Sequence, residues 1–360
     1  MEQIDNFKKC DRLFRDEKLS LLNDYVGDRF LKLRSLNRSI YLKDLLEEYR
    51  IDTSEMKIKD QLSNAFNSSI TTKQVELFIK KIYSQERLLR KEKEEELVNE
   101  LYKLKVFDWG GLYQNSLEKT IVNNYIKKID NYDQIENAIE KDLQSSLRGY
   151  VLCSWYNQWT SILIEDIFKD HSRILPALGL IPKIDFFIDN CPYDLKVTFL
   201  PEGFIKQQRK INNLKPELTL LKAAARKKDI PIDSNLNPSK QTEELWIKLE
   251  EYSQNDEVLA ELKSFRIETI KSIKNNPSIL IKWLYENQGV RRFDASNRFF
   301  IVLANTSNFF EGWKMKRAIP LLKQKTAALL DQNNQIGRQI NFQWEDKEYE
   351  VTSDLLFISN

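Results

Sequence analysis

Ile184-Asp185-Phe186-Phe187-Ile188-Asp189-Asn190-Cys191-Pro192-Tyr193-Asp194-Leu195-Lys196-Val197-Thr198-Phe199-Leu200 places two short apolar runs on either side of a turn-forming cluster. The runs are rich in Phe, Ile and Val, which suit strands, and Asp-Asn-Cys-Pro has turn composition. The stretch therefore predicts a hairpin, with strands over 184–188 and 193–200. With the turn at 189–192, Ile188 opposes Tyr193, Phe187 opposes Asp194 and Asp185 opposes Lys196. Side chains alternate faces along a strand, and opposed residues share a face. Asp185, Asp194 and Lys196 are thus expected on one face of an otherwise apolar hairpin.

Two carboxylates in such a place repel each other and are costly to desolvate unless a cation lies between them. All-oxygen ligation favours Mg²⁺, with Mn²⁺ also suited, over zinc. Lys196 beside such a site could orient a water and stabilise charge developing on a phosphate. The competing reading is a simple cross-strand ion pair between Asp185 and Lys196, with Asp194 left in solvent.

The residues N-terminal to the hairpin read as a strongly apolar helix over 155–170. Trp159, Leu163, Ile164, Ile167 and Phe168 cover a wide arc of it, and Gln158, Glu165 and Lys169 form a narrow polar strip. Glu165 joins the acidic pair if that strip turns toward the hairpin, and faces water otherwise. Pro176, Gly179 and Pro182 end the helix. Further on, Arg298–Ala304 is a continuous apolar run that reads as a buried third strand. Residues 339–344, 348–351 and 355–358 alternate like a terminal hairpin or edge strands.

Composition narrows the chemistry. The chain has 360 residues, 41% hydrophobic and 31% charged, with 7 Trp, 14 Tyr and 19 Phe, enough for a sizeable core. His171 is the only histidine, which excludes zinc sites with several histidine ligands, and no G-x-S-x-G elbow accompanies it. It reads as a helix-end cap rather than a base. The 9 glycines form neither a Walker-type nor a dinucleotide-binding loop, so no nucleotide cofactor is expected. Cys10, Cys153 and Cys191 fit neither a disulfide framework nor a metal site, and suit a reducing cytoplasm. No apolar run is long enough for a membrane span, and the polar N-terminus does not read as a signal peptide.

Residues 1–148 read as a helical domain that clamps DNA or dimerises. Residues 86–105 form one charge-dense helix, broken at Phe107–Gly111, and a new helix is capped at Ser116. Residues 149–360 read as the second domain, with a helical basic insert at about 205–288. Lys206, Arg209, Lys210, Arg226, Lys227 and Lys228 stand in that insert with little acidic charge against them, as phosphate contacts do, although a solvated surface has the same composition. Asn297 and Arg298, with Asn305 and Asn308 beyond the strand, could read base edges or form turns.

Glu165 in a helix, Asp185 at the start of a strand and Asp194-Leu195-Lys196 in the next strand resemble the PD-(D/E)XK nuclease superfamily, and within it the type II restriction endonucleases. The context from Ser154-Trp155-Tyr156-Asn157-Gln158-Trp159 to Tyr193-Asp194-Leu195-Lys196-Val197-Thr198 is similar to such enzymes as well. Other D/E-x-K matches, such as Glu55-Met56-Lys57 and Glu261-Leu262-Lys263, fall in helical patterns, where residues two apart face apart. The resemblance covers roughly 150–204 and 290–360. It implies an α/β core, a small mixed sheet flanked by helices. It further implies a divalent metal held by Asp185, Asp194 and the Leu195 carbonyl, a water positioned by Lys196, and support from Glu165. The expected reaction is hydrolysis of double-stranded DNA, and the expected state is a homodimer, since enzymes that cut both strands of a symmetric site usually act as two-fold dimers. Pro182, rather than a residue directly before Asp185, is the nearest preceding proline. Rival expectations are a nuclease of the same core for repair, junction cleavage or non-sequence-specific defence, and a non-enzymatic helical DNA-binding protein.

Overall fold

The computed structural model describes residues 2–16, 18–36, 39–54, 56–107, 121–179, 181, 183–253, 256–287, 296–332, 335–344 and 346–360. The fold is α/β, built on one six-stranded mixed sheet of order β1-β2-β3-β4-β6-β5. The strands are β1 (Ile174–Pro176), β2 (Phe186–Ile188), β3 (Cys191–Phe199), β4 (Arg298–Ala304), β5 (Arg338–Trp344) and β6 (Lys347–Ser359). β1, β2 and β3 form an antiparallel meander, β4 lies parallel to both β3 and β6, and β5 pairs antiparallel with β6.

Five helices precede the sheet as a compact unit: α1 (Glu2–Arg15), α2 (Tyr25–Ser35), α3 (Ser39–Glu48), α4 (Ile58–Asn67) and α5 (Thr72–Lys91). Local chemistry sets their ends. Asp24 accepts from the Gly27 N–H at the start of α2, and Thr71 with Gln74 forms a reciprocal capping box on α5. The single helix expected over 86–105 is two, because α5 stops at Lys91 and α6 runs Glu94–Leu101. The joint expected at Phe107–Gly111 and the cap at Ser116 lie outside the described residues, apart from Phe107 itself. α7 (Tyr132–Ala138) leads through a π-helical turn into α8 (Gln144–Lys169), which carries Glu165. The change of character expected at 148/149 therefore falls inside one continuous helix.

Between β3 and β4 come α9 (Glu202–Ile211), α10 (Glu217–Lys227), α11 (Pro238–Tyr252), α12 (Glu257–Asn275) and α13 (Pro277–Asn287). After β4 come a 3-10 segment, Phe309–Arg317, and α14 (Ile319–Gln332).

Alternation along the strands divides the core into layers. Tyr193, Leu195, Phe299, Ile301 and Leu303 pack with Ile164, Ile167 and Phe168 of α8 and with Leu322 of α14. Phe300, Val302 and Leu355 pack on the other face with Phe204 of α9 and Leu280, Ile281 and Leu284 of α13. All seven residues of β4 are buried, as suits a strand with parallel neighbours on both sides and helices on both faces. At the β1–β2 end, Leu175, Ala177, Ile181, Ile184 and Phe187 join the core of α1–α5, with Phe30, Leu31 and Ile79. The N-terminal helices thus share a core with the hairpin. A separate cluster holds α10–α12 together around Leu221, Trp246 and Leu262.

Four sequence expectations need correction. The first strand of the hairpin begins at Phe186 rather than Ile184, which leaves Asp185 in a bend before it. The hairpin turn has two residues, not four: Ile188 opposes Cys191, Phe187 opposes Pro192 and Phe186 opposes Tyr193. Asp189 (φ 48°) and Asn190 (φ 68°) form the turn, in the left-handed region that Asn and Asp tolerate and that matches strand twist. Pro192 stands in a non-hydrogen-bonded pair with Phe187, where its missing N–H costs no bond to β2. β1 is an additional strand, three residues ending on a proline that reads as a breaker. The C-terminal runs are one strand, β6, rather than two.

Candidate active site

The corrected register moves the pairing by two residues; an even shift keeps the faces within the strands, but Asp185 stands in a bend just before β2, outside the ladder, where alternation does not assign its face. β2 ends at Phe186, while β3 continues through Asp194, Leu195 and Lys196. The sheet therefore forks at this point. The Asp185 N–H donates to the Tyr193 carbonyl at 2.8 Å, and the Asp194 N–H donates to the Asn297 carbonyl at 3.0 Å on the opposite side. By alternation, the amide groups of Leu195 point to the β2 side, into the gap that β2 leaves. There the Leu195 N–H donates to Asp185 Oδ2 at 2.7 Å.

Asp194 and Lys196 share a face of β3, and Lys196 Nζ lies 2.5 Å from Asp194 Oδ1. Arg298 Nε is 3.6 Å from the other oxygen, Oδ2. Lys196 thus pairs with Asp194 and not with Asp185, so the simple cross-strand ion pair is not what forms. Asp194 is buried, with 6% exposure, rather than solvated. The Lys196 side chain keeps 41% of its surface open.

Glu165 reaches toward Asp185 from α8 and is bonded by Lys169 Nζ at 3.0 Å, one turn along. Burial pushes the Asp185 carboxyl up from the ordinary aspartate range to about 6. The negative charges of Glu165 and Asp194 add to that rise, while the Leu195 N–H and Lys169 oppose it. Glu165 and Asp185 line a cleft of about 460 Å³, walled by Tyr83, Glu86 and Arg90 of α5 and by Ala177, Leu178, Gly179, Ile181 and Ile184. Asp166, next to Glu165, is held by Arg90 through bonds of 2.8 Å to both carboxylate oxygens, which fixes α8 against α5. The i, i+4 spacing of Glu165 and Lys169 signalled their pairing; nothing local in the sequence linked Arg90 to Asp166.

Among the described residues, no three His, Cys, Asp or Glu side chains are gathered closely enough to cage a metal. Glu165 therefore does not complete a three-carboxylate cluster with Asp185 and Asp194. Two carboxylates and a backbone carbonyl are what the fork offers. Hard oxygen donors suit a divalent cation such as Mg²⁺, and Asp194 is already paired with Lys196 and Arg298, and Glu165 with Lys169.

The expected DNA contacts divide into two groups. Lys206, Lys210, Arg226 and Lys227 are exposed on the insert. Arg209 is 1% exposed and bonded to the Lys215 carbonyl at 2.7 Å and Glu261 at 2.8 Å. Lys228 pairs with Asp256. Arg298 is buried over the Tyr285 ring and beside Asp194. Asn297 ties β3 to β6, donating to the Pro192 carbonyl at 3.2 Å and accepting from the Thr352 N–H at 2.9 Å. Asn305 and Asn308 cap the turn after β4. Arg209, Lys228, Asn297 and Arg298 therefore serve the fold in these positions. His171 faces Asp331 at 3.0 Å, away from the acidic fork's residues.

Compared with family models, with curated proteins and with solved structures, the chain gives no match. Among the described residues, no helix is long and apolar enough to cross a membrane.

Proposed function

We propose that this chain is a Mg²⁺-dependent endonuclease of PD-(D/E)XK type that hydrolyses phosphodiester bonds in double-stranded DNA, most simply as a sequence-specific restriction enzyme. The observation that carries the reading is the fork itself. Asp185, in the bend just before β2, accepts from the Leu195 N–H, and Leu195 stands between Asp194 and Lys196 of β3, which pair with each other. The reading is supported by the chain order of a helix with Glu165, Asp185 just before β2, and β3 with Asp194 and Lys196.

Asp185, Asp194 and the Leu195 carbonyl would hold the cation. Bound there, Mg²⁺ would neutralise the acidic pair and polarise a phosphoryl oxygen. Lys196, with its ammonium partly open to solvent, orients the attacking water and stabilises charge on the phosphate. Water adds to phosphorus, the bond to the leaving sugar oxygen breaks, and that oxygen takes up a proton. Glu165, held by Lys169, supports Asp185 from across the cleft. Lys206, Lys210, Arg226 and Lys227 supply backbone contacts that carry no sequence information. Cutting both strands of a symmetric site calls for a homodimer.

The test is direct. Purified protein with Mg²⁺ is incubated with plasmid and genomic DNA, beside Lys196→Ala and Asp185→Asn. Wild type is expected to cut and both variants to leave the DNA intact. Uniform sequenced ends mark a restriction activity; scattered ends mark a repair or defence nuclease. Intact DNA with wild type across Mg²⁺ and Mn²⁺ and varied substrates overturns the reading.

A further inference from the structure

The Lys32 side chain is 1% exposed, yet it belongs to α2, far along the chain from the acidic fork. Its ammonium makes three bonds: to Asp28 Oδ2 at 2.7 Å, to Glu76 Oε1 at 2.6 Å and to Asn190 Oδ1 at 2.7 Å. That uses all three of its protons. Two acceptors are carboxylates of the N-terminal helices. The third is a neutral amide on the β2–β3 turn, 158 residues away. One helical turn on, the Ser35 carbonyl accepts from the Gly179 N–H at 2.7 Å, so the same end of α2 holds the loop that walls the cleft. The two anchor residues are themselves linked, since the Ser35 hydroxyl donates to the Lys32 carbonyl at 2.7 Å.

We propose that Lys32 is a positioning residue for the acidic fork, clamping the hairpin turn at Asn190 so that Asp185 stays against Leu195. The proposal rests on the nuclease reading for its catalytic consequence only. β2 and β1 have three residues each, so few ladder bonds fix the hairpin. Such short strands take their register from the turn and from side-chain packing. Phe187 supplies the packing, in the N-terminal core, and Asn190 supplies the turn and its tether. Between the turn and Asp185 there is only β2. The N-terminal helices on this account are a frame for the catalytic strands as well as any surface they present to DNA.

Lys32→Met would strand Asp28 and Glu76 without their cation, so the decisive variant is Asn190→Gly in the full chain. Glycine adopts the φ of 68° found here without strain, leaves Lys32 with both carboxylates and removes the tether alone. Amide exchange, measured without metal or DNA, is expected to quicken at least about tenfold at Leu195 while Val302 in β4 is unchanged. Cleavage is expected to lose about tenfold in kcat with KM for DNA held, and Asn190→Asp, which keeps an acceptor for Lys32, is expected to restore it. Unaltered exchange at Leu195, a rise equal to that at Val302, or a loosened Leu195 with full kcat overturns the proposal. A wild-type chain that cuts no DNA would instead overturn the nuclease reading, and the exchange data would still decide the tether.

Discussion

The Leu195 N–H donates to Asp185 Oδ2 at 2.7 Å across the gap where β2 has stopped and β3 goes on. This bond takes the place of a ladder bond, with a carboxylate standing where a backbone carbonyl would be. It fixes Asp185 at the sheet edge. The charges of Glu165 and Asp194 act there on a carboxyl that burial has already raised to about 6.

That elevation has a stability consequence with a defined sign. A carboxyl that titrates near 6 in the fold and near 4 unfolded keeps its proton in the folded state through that window. Stability is therefore greatest below about pH 4 as far as this group is concerned, and is lost as pH rises through about 6. Partial exposure of Asp185 reduces the cost to about 1–2 kcal/mol. Asp185→Asn, whose amide oxygen can still accept from Leu195, is expected to gain that amount at pH 7 and to flatten the difference. Urea unfolding of both proteins at pH 4.5, 6 and 8 measures it. Parallel pH curves for wild type and variant would remove Asp185 as the source. Mg²⁺ at pH 7 is expected to stabilise wild type more than the variant.

Much of this fork was legible in the sequence because it is local. Phe, Ile and Val runs around Asp-Asn mark a hairpin, and β4 occupies the predicted Arg298–Ala304 run, since no alternation competes in a strand buried on both faces. The turn was misplaced because Pro192 reads as a turn former, whereas the pairing pattern gives it a position that needs no N–H toward β2. Long-range ties left no such trace. Nothing near Lys32 announces Asn190, and nothing near Arg298 announces that its guanidinium is spent on Asp194 and Tyr285 rather than offered to a base.

Lys196 separates chemistry from folding. Its side chain is 41% exposed and its ion pair is with a carboxylate that Arg298 also approaches. Lys196→Ala is expected to change unfolding free energy by no more than about 1 kcal/mol. Its effect on DNA cleavage is expected to exceed about a hundredfold, the scale of removing one electrostatic interaction with the transition state. Thermal unfolding and cleavage rates on the same preparation check both halves. A variant that loses rate only in proportion to its loss of folded protein would make Lys196 structural.

The shared core predicts that the sheet region does not stand alone. Leu175, Ala177, Ile181, Ile184 and Phe187 are buried against α1–α5. Removing residues 1–91 would expose them, at roughly 1.5–3 kcal/mol for each large side chain. The sum is comparable to the whole stability of a domain. A chain beginning near residue 92 is expected to be insoluble or to lack cooperative unfolding, as scanning calorimetry would detect. A well-folded, sharply melting fragment would show that the N-terminal helices are dispensable to the hairpin.

Arg209 and its exposed neighbours on α9 and α10 should behave in opposite ways, although all are basic residues of one insert. Arg209 is 1% exposed, stacks over Phe265 with its guanidinium carbon 4.9 Å from the ring centre, and bonds Lys215 and Glu261. Arg209→Ala removes that packing and leaves the Lys215 carbonyl without its donor. The expected loss is about 2–4 kcal/mol of stability, with no specific change in DNA affinity once the folded fraction is counted. Lys206, Lys210, Arg226 and Lys227 are exposed, so joint replacement by alanine is expected to leave stability within about 1 kcal/mol. If they neutralise backbone phosphates, the quadruple variant binds more weakly and its affinity falls less steeply with salt, by about 0.9 in log–log slope for each phosphate no longer neutralised. Equal slopes for wild type and the quadruple variant across about 50–200 mM salt would place the DNA track elsewhere on the molecule.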